Sequence, residues 1–151
     1  MPTRRSFLAT AAALPLAALA LPALAEEPAI HARDGAAIGG YDPVAYFTEG
    51  APVEGSPEHS TMWNGAEWRF ASAENKATFE ADPEAYAPQY GGYCAYAASQ
   101  GYVASTSPDA WSVHEGKLYL NYSRRVQRIW EKDKPGFIAQ ADTNWPAPLS
   151  K

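Results

Sequence analysis

One cysteine, three histidines and two methionines are all the soft or borderline metal ligands in this chain of 151 residues. A single thiol, Cys94, excludes an internal disulfide, so packing or a ligand has to hold the fold. Positive charge is also scarce. Lys and Arg total 12 against 17 Asp and Glu, with no dense basic stripe, which argues against a nucleic-acid partner. The chain has no glycine-rich phosphate loop, no His-x-x-x-His pair and no Ser-His-Asp order, so a binding protein is favoured over an enzyme. Beyond the first 25 residues there is no repeat, heptad pattern or low-complexity segment.

What is present begins at the N-terminus. Thr3-Arg4-Arg5-Ser6-Phe7-Leu8 precedes an apolar run from Ala9 to Leu24, and Ala23-Leu24-Ala25 supplies the small residues of a cleavage site. Charge, apolar run and A-x-A site in that order make a secretory signal, and the paired arginines mark its twin-arginine form. Pro15 and Pro22 interrupt the run, which favours a cleaved signal over a retained membrane helix. The expectation is a periplasmic protein cleaved after Ala25, with no membrane contact once the signal is gone. Loss of Arg4 and Arg5 from the 12 basic residues leaves 10 against 17 acidic ones, a net charge of about −7. The remaining chain is one domain's worth and keeps all five tryptophans and nine tyrosines for a core.

Residues 26–39 read as a loose lead-in, with Ile38-Gly39-Gly40-Tyr41 as an extended approach. Asp42-Pro43 reads as the cap and first position of a short helix. Asn64-Gly65 between two aromatic, alternating runs predicts a β-hairpin, with Trp68 and Phe70 on one face and Glu67 and Arg69 on the other. Ser72 then caps a helix through Phe79, and Asp82-Pro83 opens another. A short helix from the cysteine stretch ends towards Gly101, and Glu115-Gly116 turns a second hairpin. Ser123 starts a helix whose stripe is Val126, Ile129 and Trp130. Pro135 opens a last one, and Trp145-Pro146-Ala147-Pro148 reads as an extended tail. The fold class is α+β: a small single domain with two β-hairpins and several short helices. Its core is read as 40–90, with an extension at 91–146 packed on it and a tail at 147–151.

Asp42-Pro43-Val44, His59-Ser60, the run from Trp63 to Ser72, Phe79, and Asp82-Pro83-Glu84-Ala85-Tyr86 together resemble a YHS domain. "GGYCAYA", "GKLYLNY" and "ADTNWP" are similar to the longer exported bacterial YHS-domain proteins. The resemblance implies a hairpin followed by a helix, and a metal-binding module. It also shows departures. Where that family carries cysteine and methionine after Asp-Pro-Val, this chain has Ala45-Tyr46-Phe47; Ala71 stands at the hairpin-end ligand position and Asn75 near the helical one. Alanine coordinates nothing, so any metal site here has to be a different one.

Cys94 and His59 are the candidate metal ligands, and copper or another transition metal suits such a soft N and S set best. His59 falls on the family's histidine position, with fixing of the hairpin start as its structural alternative. Cys94 has three readings: a buried small residue, a metal or cofactor contact, or a nucleophile activated at a helix N-terminus. His114 reads as solvated, and His31 carries little weight in the lead-in. Tyr41, Tyr93 and Tyr96 are candidate pocket-lining residues, or else core aromatics. Arg124, Arg125 and Arg128 are an anion site or a solvated helix face. Function then divides three ways. The first is a non-enzymatic protein binding a metal ion or small molecule. The second is a module docking a periplasmic protein partner, with a purely structural Cys94. The third is a thiol-dependent enzyme.

Overall fold

The N-terminal residues pair with the hairpin rather than trailing from it. In the computed structural model, which describes residues 26–151, β1 (Ala32–Arg33) and β2 (Ala36–Ala37) form a tight antiparallel pair. β2 then runs parallel to β4 (Ala66–Phe70) through Ala36 and Glu67. The expected lead-in is therefore part of a four-stranded sheet, in the order β1-β2-β4-β3, with β3 spanning Ser56–Trp63. The expected extended approach at Ile38–Gly40 is instead a turn, in which Ile38, Gly39 and Gly40 take φ of 46°, 68° and 83°. The expected twin-arginine signal and its cleavage site fall outside the described residues, among which no helix is long and apolar enough to cross a membrane.

Between these strands, α1 (Ala45–Thr48) makes one helical turn, and β3 and β4 pair antiparallel around Asn64 and Gly65, both at positive φ. Alternation along β4 buries Ala66, Trp68 and Phe70. The Ser72 hydroxyl accepts from the Asn75 N–H at 3.1 Å and so starts α2 (Ala73–Ala81). That helix sets Phe79 against Trp68 and Phe70, with ring centroids 5.2 and 5.1 Å apart. Burial of each such side chain is worth about 1.5–3 kcal/mol. Pro83 opens α3 (Pro83–Tyr86) as expected, but the Asp82 side chain makes no capping bond.

The C-terminal half contributes α4 (Ala95–Gln100), the hairpin of β5 (Trp111–His114) and β6 (Lys117–Leu120), α5 (Arg124–Glu131) and α6 (Lys134–Asn144). β6 joins the two halves by splitting its faces. Leu118 and Leu120 enter the core with Trp68, Phe70 and Phe79, while Tyr119 enters a second core with Tyr90, Trp130 and Ala141. Two expectations change here. Ile129 is 37 % exposed rather than part of the buried stripe, because Tyr119 of β6 with α4 and α6 covers only the Trp130 side of α5. The tail is a 3-10 turn at Ala147–Ser150 that buries Pro148, and the Glu27 N–H reaches back to the Leu149 carbonyl.

Candidate functional site

Asp42 is fully buried, a position that a carboxylate holds only when its oxygens are satisfied. One oxygen, Oδ1, accepts from the N–H groups of Val44 and Ala45 at 2.9 and 3.3 Å, which fixes the start of α1. The other, Oδ2, accepts from the Ala71 N–H at 2.9 Å and the Asn75 side-chain amide at 2.8 Å. Ala71 stands at one position where the family resemblance puts a metal ligand, and Asn75 stands near another. Here they present N–H donors to a carboxylate, not lone pairs to an ion. In the remaining stretch, Ala45-Tyr46-Phe47, Tyr46 is buried; its hydroxyl donates to the Pro108 carbonyl at 2.9 Å and its ring lies 5.3 Å from Trp111. A soft metal does not fit this donor set.

Cys94 stands at the N-cap of α4 with extended backbone, and its side chain is buried. The Tyr122 N–H donates to Sγ at 3.3 Å, and the thiol contacts Asn121 Oδ1 at 3.5 Å. Burial pushes the Cys94 thiol up from its ordinary value, against the opposing pull of the Ala97, Tyr122 and Tyr96 N–H groups. The helix start therefore does not make this thiol a thiolate. Asn121 is itself fully buried, with Oδ1 taking the Tyr96 N–H at 3.0 Å and Nδ2 unpartnered.

His59 is half-buried in β3, within the irregularity where pairing with β4 jumps from Ser56 to Ser60. The main neighbours of β3 are β4 and α2, whereas α4 packs on α5, α6 and the Gln89–Gly92 turn. Among the described residues no three His, Cys, Asp or Glu side chains gather as metal donors. Of the tyrosines, Tyr93 lays its ring 5.1 Å from His31 and donates its hydroxyl to the Pro28 carbonyl at 2.8 Å. Tyr41 lines a small pocket that His31 also lines. Tyr96 goes elsewhere, edge-on to Phe137 at 5.4 Å in the second core. His114 is half-buried at the end of β5, and Arg124, Arg125 and Arg128 are exposed along α5. His31, discounted in the sequence, is half-buried between two glycine turns. Its one sequence signal is that Gly-Gly-Tyr occurs twice, at 39–41 and 91–93.

These contacts define a small α+β domain whose polar interior is hydrogen-bonded. Residues 44–90, from the start of α1 to Tyr90, match the YHS domain, a family associated with metal binding. No curated protein and no solved structure matches the chain.

Proposed function

We propose that this is an exported, non-enzymatic YHS-domain protein that works by binding a small molecule rather than by holding copper. The observation carrying this reading is the Asp42 clasp. Two backbone N–H groups, a third from Ala71 and the Asn75 amide saturate one buried carboxylate where the family resemblance puts metal ligands. The state of Cys94 supports it, since a protonated thiol hydrogen-bonded inside the protein is a poor ligand for a soft metal. Export rests on Arg4-Arg5, the apolar run and the Ala23-Leu24-Ala25 site, and puts the functional chain in the periplasm.

The test is metal analysis of untagged protein recovered after export through its own signal, with Cys94→Ser and His59→Ala in parallel. The expected result is folded, metal-free protein that takes up no added copper. Near-stoichiometric copper or zinc, lost in both variants, would overturn the reading and restore the Cys94 and His59 site.

A further inference from the structure

Ile38 is a β-branched residue at φ 46°, a conformation its side chain disfavours, and Gly39 and Gly40 continue the left-handed turn at 68° and 83°. Tyr90, Gly91 and Gly92 repeat it at 58°, 63° and 85°. Both turns hold one residue. The His31 N–H donates to the Gly91 carbonyl at 2.8 Å, and the His31 carbonyl accepts from the Ile38 N–H at 2.9 Å. Backbone strain at two separate places thus fixes His31, and strain of this kind persists where a site needs a defined geometry.

Beside that residue lies a recessed pocket of about 170 Å³, lined by His31, Arg33, Asp34, Tyr41 and Thr106 among others. Arg33 Nη2 donates to the Thr106 carbonyl at 3.0 Å, which orients the guanidinium. Among the described residues neither Arg33 nor Asp34 is in an ion pair, although the chain is acidic overall. The His31 ring makes no protein hydrogen bond among the described residues. The lining therefore sets one positive and one negative group beside a half-buried imidazole and a phenol. A bare cation would meet Arg33 and a bare anion would meet Asp34; a ligand with both charges meets each with its opposite. A volume of about 170 Å³ limits the ligand to a small molecule.

We infer that this pocket binds a small zwitterionic amino acid, its carboxylate on Arg33 and the Tyr41 hydroxyl and its ammonium on Asp34. The inference rests on the small-ligand reading above and deepens it. The experiment is a titration of the isotope-labelled, exported protein, followed by amide NMR, with glycine, alanine, acetate and methylammonium as probes. Glycine or alanine should give saturable shifts at Gly39, Tyr41 and Thr106, with acetate and methylammonium at least about tenfold weaker. Arg33→Gln and Asp34→Asn should each weaken glycine binding by about tenfold or more while the remaining spectrum stays unchanged. Acetate binding as tightly as glycine, or no saturable shift with either amino acid, would overturn the inference. Glycine binding that survives Arg33→Gln would remove the site but leave the small-ligand reading. Stoichiometric bound copper in the same preparation would remove that reading itself.

Discussion

Asn75 donates its side-chain amide to the Asp42 carboxylate at 2.8 Å, across 33 residues of chain. The bond ties the start of α1 to the first turn of α2, and with the Ala71 N–H it leaves Asp42 Oδ2 satisfied by two donors. A carboxylate buried this deeply is held by its donors, so removal of either side should be felt in stability.

Asp42→Ala strands the Ala71 N–H and the Asn75 amide and uncaps α1. It should cost about 3 kcal/mol or more in urea unfolding. Asn75→Ala removes one donor and should cost about 1–2 kcal/mol. The double variant should be less destabilised than the sum; strictly additive losses would show that the two side chains do not interact.

The Cys94 thiol should be silent in the folded protein. Ellman's reagent at neutral pH should react at the rate of global unfolding and become fast in denaturant, because burial holds the thiol protonated and encloses it. Rapid stoichiometric labelling under native conditions would return the nucleophile reading to contention.

Two glycines with positive φ should respond differently to alanine. At Gly39 an added Cβ meets nothing within 4 Å, so Gly39→Ala should cost about 1 kcal/mol from backbone strain alone. At Gly91 the Cβ would collide with the backbone carbonyl of Ala29, so Gly91→Ala should cost about 3 kcal/mol or more. Equal thermal shifts for the two would contradict the close approach described here.

His31 should make the fold acid-sensitive. Burial, and then the neighbouring Arg33, lower its pKa below 6.5, against a smaller opposing pull from Glu27. The folded state therefore binds fewer protons than the unfolded state below pH 6.5. Stability contributed by neutral His31 is present above that value and is lost as pH falls through the window beneath it. Thermal unfolding at pH 7 and pH 5 should show a larger loss in wild type than in His31→Gln; identical losses would exclude His31 as the source.

The legible parts of this fold were those decided within a few residues. Asn64-Gly65 required a hairpin because both residues tolerate positive φ, and Ser72 and Ser123 announced helices through hydroxyls that accept from Asn75 and Val126. The illegible parts were decided by distant partners. Nothing local puts Ile38 at φ 46°; its N–H is held by the His31 carbonyl, and its side chain lies where a Cβ on Gly92 would come within 2.6 Å. The tail bends because Leu149 receives Glu27, more than a hundred residues earlier. The candidate site behaved the same way. Cys94 and His59 were conspicuous by chemical type, whereas the pocket of His31, Arg33 and Tyr41 is completed by Thr106 from the far half of the chain.

The clamp on His31 also bears on the order in which the molecule folds. Residues near the start of the domain take their backbone partner from Gly91, about 60 residues later, and their sheet partner from Glu67. A ribosome delivers them first, yet beyond their own β1–β2 pair they have no partner until the hairpin and the second glycine turn have emerged. The hairpin and its helix can assemble from near neighbours, so the opening segment closes last and seals the finished domain. Closure of that opening segment onto Gly91 and Glu67 is therefore a structural mark of completed folding.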